Sequence, residues 1–499
     1  MSSSATVGQL ETRDAQKWDR RQIATIVLLC GALFLDAMNT SSINVALPTI
    51  GAHLRMSPAT LQWVVSGYAL GFGGFLLLGG RAADLLGRRR VFLGGLLVFA
   101  VASAVGGLVD SGTLLIAASF VKGVGAAFTI PAGLSILTTT FTEGAGRNMA
   151  LGAWGATGAA GFTLGLVFGG LLSELGWRYV LLVPAPFAAL IAIVGLRVLE
   201  RPERSSTTGR HYDLPGAVAI TASMMALVYS VVEAPARGWS DARTIGGLAL
   251  SAALLAVFVA VESRSAAPLV RLGILKTRTL VSADLAGMLY FGSFLGFQFL
   301  ATLYVQDVAG WSPVDTALAF LPAGAFLVIS GSQSARIIGR FGTRRLIAAG
   351  LIAFAVGYVL FLRENSHHLA YTTMLLPSMV LIGLGWALAF PALNVQATAG
   401  VAGREQGLAA GLFNTGFQIG GAVGVAVISA VISSHTTAGG GEVGAVLSSI
   451  RPAMTILIPV ALAGLAVIAA VSGGRPAPTD ATNRTEPKSI ALAECAKAL

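Results

Sequence analysis

GGRAADLLGRRRVFL, Gly79–Leu93, sets four arginines, Arg81, Arg88, Arg89 and Arg90, between two long apolar segments. A short basic connector between two membrane spans stays on the cytoplasmic side, because Lys and Arg in short loops resist translocation. The stretch therefore orients everything around it. The chain has 499 residues, 55% hydrophobic and 11% charged, with a mean hydropathy of +0.77. Soluble chains carry about 25% charged residues, so this composition is that of an integral membrane protein. The net charge of +10 is spread over short loops instead of forming one basic face. That fits orientation in a bilayer and argues against a nucleic-acid surface.

Working outward, a span needs roughly 20 apolar residues. Fourteen segments qualify: 22–47, 60–79, 91–109, 112–139, 148–173, 178–198, 214–233, 244–262, 279–304, 314–335, 345–362, 370–395, 405–433 and 452–472. With the polar N-terminus read as a cytoplasmic tail and not a cleavable signal, 26 of the 33 basic residues fall inside. Six, Arg55, Arg178, Arg237, Arg243, Arg363 and Arg451, fall outside, and Lys122 lies within a span. That bias predicts an even number of crossings and both termini cytoplasmic.

The chain also repeats. Gly161, Gly165 and Gly169 recur at spacing four, as do Gly416, Gly420 and Gly424. Small residues at that spacing let helix backbones approach closely in lipid. The basic loop has a weaker copy, ARIIGRFGTRRL (Ala335–Leu346), with Gly339 where the first copy has Asp84. Both repeats align if helices 7 and 8 are an insertion between two six-helix halves. The predicted organisation is a tail at 1–21, a six-helix bundle at 22–199, a linker with two inserted helices at 200–278, a second bundle at 279–472 and a tail at 473–499.

Gly80, Asp84, Gly87, Arg88 and Arg89 fit the spacing GxxxDxxGR(R/K). With INVALPTI (Ile43–Ile50), LQWVVSGYAL (Leu61–Leu70), GVGAAFTIPAG (Gly123–Gly133), the Gly161–Gly170 stripe, GWRYVLLVPAP (Gly176–Pro186), GWSPVDTALAFLPAG (Gly310–Gly324) and EQGLAAGLFNTGFQIGGAVGVA (Glu405–Ala426), the chain resembles the fourteen-span drug:proton antiporters of the major facilitator superfamily. The resemblance implies an all-α integral membrane fold of two pseudo-symmetric bundles. It implies proton-coupled efflux of small lipophilic drugs or antibiotics by alternating access, conferring resistance, across a bacterial cytoplasmic membrane. Its partners would be substrate, protons and lipid, with no cofactor, no nucleic acid and a monomeric chain. Uptake or exchange of a polar metabolite by the same fold is the alternative, though it calls for more charges inside spans.

The resemblance gives the basic loop a gating role, with Asp84 set against a neighbouring helix end; simple positive-inside anchoring is the other reading. Two departures stand out. Leu85 replaces an arginine common in the family, and Leu166 replaces the proline of the GxxxGPxxGG motif, which predicts a straighter helix 5. Helix 1 carries Asn39 where the family has an acid, with Asp36 one turn earlier. Helix 4 carries Ser119 where the family has an arginine, with Lys122 one turn later. Because the two helices are antiparallel, both charges shift toward the cytoplasm and stay level. Asp36 and Lys122 are therefore the expected proton-responsive pair, with Asp284 as a further candidate. An ionisable side chain inside a span costs roughly 2.5–3.5 kcal/mol on insertion scales and marks a functional site by default. Asn39, Gln62, Tyr68, Asn414 and Gln418 are cavity candidates, Asn414 and Gln418 sharing a helix face. Trp63 and Glu233 read as interfacial. No phosphate-binding loop, metal-ligand spacing or nucleophile motif is present, so the expected activity is not enzymatic. Cys30 and Cys495 are not placed to pair.

Overall fold

The computed structural model describes residues 18–141, 145–200, 214–238, 240–264, 272–362, 371–401, 406–435 and 441–470. Residues 1–17 of the expected N-terminal tail, the expected C-terminal tail, His211, His367, His368 and Cys495 lie outside the described residues, as does the side chain of Asp84; residues 18–21 of the expected tail cap and open α1. The described residues form α-helices joined by short turns, with no strand among them. The first group is α1 (Arg20–Leu54), α2 (Pro58–Leu86), α3 (Arg88–Leu108), α4 (Gly112–Thr140), α5 (Ala145–Leu175), α6 (Trp177–Leu182) and α7 (Pro184–Val198). Then come α8 (Leu214–Arg237) and α9 (Ala242–Arg264). The last group is α10 (Arg278–Leu303), α11 (Pro313–Phe341), α12 (Thr343–Phe361), α13 (Leu376–Thr398), α14 (Gln406–His435) and α15 (Gly441–Ala470). The rod formed by α6 and α7 is interrupted at Pro184, whose missing N–H cannot complete the helix ladder.

Among the described residues, eleven helices are long and apolar enough to cross a bilayer, and Val218–Ala234 and Pro313–Phe326 are shorter apolar stretches. Outward-facing side chains such as Val27, Leu97, Leu190 and Ile193 are more than half exposed, the pattern of a surface solvated by lipid. The chain is a multi-pass membrane protein.

Local chemistry sets the helix ends. Asp19 caps α1 by accepting the Gln22 N–H at 2.6 Å, while the Gln22 side chain returns the favour to Asp19 at 3.1 Å. Ser57 caps α2 ahead of Pro58, and Ser312 caps α11 ahead of Pro313. Gly87 (φ 94°) and Gly342 (φ 79°) make the tight breaks before α3 and α12, in the backbone region only glycine enters readily. These matched caps and glycines put the two basic loops in the register expected from sequence, with Gly339 at the place of Asp84.

Packing repeats in the same way. α1 lies on α5, and α4 packs between α2 and α3; likewise α10 lies on α14, and α13 packs between α11 and α12. The two groups meet along α2–α14 and α5–α11. α8 and α9 pack on each other and α8 covers the outside of the α2–α14 seam. Reciprocal hydrogen bonds tie them, Ser223 Oγ to Ser251 O at 2.8 Å and Ser251 Oγ to Ser223 O at 2.9 Å.

The glycine stripes explain the α1–α5 and α10–α14 contacts. A side chain at Gly161 would strike Phe34, at Gly165 Met38, and at Gly169 Ser42. In the other half, Gly416 faces Asp284, Gly420 faces Met288, and Gly424 faces Gly292. The backbones touch because nothing stands between them. Ser42 uses the proximity to donate to Gly165 O at 2.6 Å.

Candidate functional site

The charged residues Asp36 of α1 and Lys122 of α4 come together with Tyr68 of α2 inside the first half. Lys122 is 2% exposed, and its ammonium donates to Asn39 Oδ1 at 2.6 Å. The Phe99 ring lies 5.8 Å from the same nitrogen, a weak cation–π contact. Asp36, one turn before Asn39, accepts a hydrogen bond from the Tyr68 hydroxyl. Tyr68 is itself buried and stacks on Phe72, with ring centroids 6.2 Å apart. Thus the acid and the base occupy one cluster, and each hydrogen-bonds to a neutral partner, Tyr68 for Asp36 and Asn39 for Lys122. A narrow void between α1, α3 and α4 reaches Asp36 past Leu96, Phe99 and Thr129. Chemically, the cluster offers one carboxylate able to take a proton and one cation already held by an amide.

Asp284 lies apart from this cluster. It packs half-buried against Gly416, and its buried Oδ1 has no hydrogen-bond partner. The stripe alignment puts it at the level of Phe34, about half a helical turn from the level of Asp36. The remaining cavity candidates do not share one site. Asn414 bonds back to Ala410 O at 2.9 Å. Gln418 sits at the α2–α14 seam against Gly73. Gln62 is 3% exposed, with its Oε1 unpartnered. Trp63 donates to Glu233 Oε1 at 3.1 Å, so the two meet at the α2–α8 contact.

In the basic loop, Arg89 Nη2 donates to Leu196 O at 2.5 Å, at the C-terminal end of α7. A cation there meets orphan carbonyls and the negative end of the helix dipole. Arg21 adds to the same corner, with Glu200 at 2.9 Å and Val198 O at 3.3 Å. These bonds lie within the first half. Gly80 sits loosely over Pro131, and Arg88 opens α3. Between the halves, Ser429 Oγ bonds Pro58 O at 3.1 Å, Gln306 Nε2 bonds Val45 O at 2.9 Å, and Thr163 Oγ1 bonds Gly324 O at 2.9 Å. The first two lie toward the end opposite the basic loops, and the third lies midway along α5 and α11.

A second site was not singled out from sequence. Between α5, α10, α11 and α13 a narrow cleft of about 30 Å³ is lined by Phe162, Leu166, Phe294, Gln298, Met379 and Trp386, among others. Trp386 meets Phe294 edge-on at 5.0 Å, and Phe291 stacks on Phe417 at 3.9 Å. Three buried polar atoms in or beside the cleft lack partners: Gln298 Oε1, Trp386 Nε1 and the Tyr290 hydroxyl. Apolar walls with a few convergent polar groups are the usual lining of a small-molecule site; in this conformer the space is far below the roughly 300–1,000 Å³ of such sites, so the halves must part before a drug enters. Leu166, standing where the resemblance calls for proline, packs into its wall. In sequence FGSFLGFQF (Phe291–Phe299) is apolar all round like any membrane span; in the structure nearly all of α10 beyond Tyr290 is buried.

Comparison with known proteins agrees with this architecture. The sequence profile of the Major Facilitator Superfamily matches residues 29–425 and 334–497. The chain is 40% identical over 435 residues to the puromycin resistance protein of Streptomyces alboniger, covering 86% of this chain and 85% of that one. It is 39% identical over 417 residues to the cephamycin export protein of Amycolatopsis lactamdurans, covering 83% and 85%. Among solved structures it is similar to the POT family transporter PepTSo, with a TM-score of 0.65 at 17% identity, over 91% of this chain and 98% of that one. Matched halves, glycine-packed helix pairs and a profile spanning most of the sequence lead to one conclusion: the chain belongs to the Major Facilitator Superfamily of membrane transporters.

Proposed function

We propose that this protein exports small lipophilic antibiotics across a bacterial cytoplasmic membrane in exchange for protons, conferring resistance. The observation that carries the reading is the separation of two sites. A buried acid–base cluster occupies the first half, and an aromatic cleft with unpartnered polar atoms lies where α5 meets the second half. Relatives named for puromycin resistance and cephamycin export support a drug as cargo. Proton binding at Asp36 favours one arrangement of the halves and drug binding in the cleft favours the other, so each drives the other by linkage.

In this reading fourteen crossings, counting α6 and α7 as one, are arranged six, two and six, with both termini cytoplasmic and the chain acting as a monomer. Hydrogen bonds between the halves toward the end away from the basic loops support a conformer open to the cytoplasm. Asp36 is the principal proton acceptor, Lys122 and Asn39 set its surroundings, and Asp284 is a second acid within the helices. Everted membrane vesicles test the reading. An imposed inward-acid gradient should drive puromycin or dye into vesicles that carry the protein, and a protonophore should abolish it. Accumulation that ignores the protonophore, or equals that of empty vesicles, would overturn it.

A further inference from the structure

The two inserted helices carry a pocket that the transport reading does not use. It lies between α2, α8 and α9, at the end away from the basic loops, and offers about 410 Å³ of space. That is within the range of small-molecule sites, roughly 300–1,000 Å³. Its two ends differ in chemistry. At the α8–α9 turn it is lined by Arg237, Arg243, Glu233 and Thr244; deeper, by Leu70 and Met225. Met225 is three helical turns below Arg237, roughly 18 Å at 1.5 Å per residue. Tyr229, Ile245 and Leu250 around it are about half exposed on the lipid-facing surface.

The polar end is not self-satisfied. Glu233 is neutralised by Arg237 at 2.7 Å and also accepts from the Trp63 indole. Arg243 lines the same space, and its guanidinium has no carboxylate partner among the described residues. Asp241 is engaged at the turn itself, accepting the Arg243 backbone N–H at 2.9 Å. Next to Arg243, the Thr244 hydroxyl is buried in a residue 2% exposed and has no hydrogen-bond partner. The lining itself presents two guanidiniums against one carboxylate, plus an idle hydroxyl, above an apolar shaft open to lipid, while the Asp241 carboxylate acts on Arg237 from outside the lining.

We propose that this pocket is a site for an anionic phospholipid of the outer leaflet. The phosphate sits between Arg243 and Thr244, and an acyl chain runs along Leu70, Met225 and Ala226. Charge complementarity selects an anion, and the apolar depth selects an amphiphile over free phosphate. The lipid would wedge α8 and α9 against α2, which gives the insertion a structural task.

The test uses the purified, delipidated full-length chain. Phosphatidylglycerol is titrated while thermal stability is followed; phosphatidylcholine, inorganic phosphate and puromycin are titrated in parallel. Phosphatidylglycerol should stabilise the wild type saturably, and Arg243→Gln should weaken its apparent affinity roughly tenfold, as expected for a lost charge-assisted contact. Arg451→Gln, at an exposed arginine remote from the pocket, should leave it unchanged. Ala226→Trp, which fills the shaft, should also weaken it; if that variant misfolds, the exposed Arg243 variant still decides. Equal affinity in wild type and Arg243→Gln overturns the proposal. So does equal protection by inorganic phosphate, or by puromycin in competition with the lipid.

Discussion

Replacing Asn39 with Leu should expose how the buried ammonium of Lys122 is tolerated. Lys122 is 2% exposed, and its nitrogen has one hydrogen bond, to Asn39 Oδ1 at 2.6 Å. Hydrogen bonds to charged groups contribute about 1.5–3 kcal/mol. Leaving a buried charge without its partner costs about 3–5 kcal/mol. The Phe99 ring at 5.8 Å offsets little of this. Asn39→Leu alone should therefore destabilise by about 3 kcal/mol or more, since a leucine cannot accept the bond. Lys122→Met alone leaves Asn39 as a buried neutral amide, a smaller cost of about 1–3 kcal/mol. In the double variant both partners are apolar, so the two losses should not add: the double variant should be about 2 kcal/mol more stable than their sum. The assay is reversible unfolding of the four purified proteins in detergent, read as a double-mutant cycle. Strictly additive losses, or an Asn39→Leu protein as stable as wild type, would refute the assignment of Asn39 as the partner that keeps Lys122 charged in the bundle.

Other positions give independent checks. Gly165→Ala would put a methyl group 2.6 Å from Met38 O, an overpacking cost of about 1–3 kcal/mol. Gly94→Ala meets nothing within 4 Å and should stabilise by about 0.5–1 kcal/mol; thermal unfolding compares the two. Arg89→Ala removes the bond to Leu196 O and should cost about 1 kcal/mol, whereas Arg90→Ala, at an exposed position, should fall within 0.5 kcal/mol of wild type. Trp386→Phe keeps the aromatic wall but removes the unpartnered Nε1. It should change which drugs are exported more than how much protein folds, as read from accumulation of a drug panel against expression level.

Much of this was legible in the sequence because lipid leaves few alternatives. A backbone in hydrocarbon must satisfy itself, so apolar length alone announces helices. The arginines at 88–90 announce an end, and the two glycine stripes announce which helices touch. The register of Asp84 with Gly339 follows from one alignment, and Gly87 and Gly342 bear it out in their backbone angles. What stayed hidden depends on rotation about helix axes. Sequence spacing put Asp36 and Lys122 at one level, but not that Tyr68 and Asn39 would be their hydrogen-bond partners, since α2 contributes from a separate element. The aromatic cleft was hidden for a related reason. Phe291, Phe294 and Trp386 are apolar residues in apolar helices, and nothing in one chain separates those facing lipid from those facing a cavity. Asp284, a candidate from its charge within a span, packs against Gly416 apart from the Asp36 cluster, which spacing did not show.

The central claim is that the Asp36 carboxylate couples protons to drug movement through a separate aromatic cleft. The most direct measurement is proton movement on adding drug to proteoliposomes containing wild-type or Asp36→Asn protein, with drug binding followed in parallel by tryptophan fluorescence. The wild type should release protons when drug binds and move them as drug crosses. The Asp36→Asn protein should bind drug with affinity within a few-fold of wild type, yet move no protons. Drug-driven proton flux in Asp36→Asn equal to that of wild type would contradict the account.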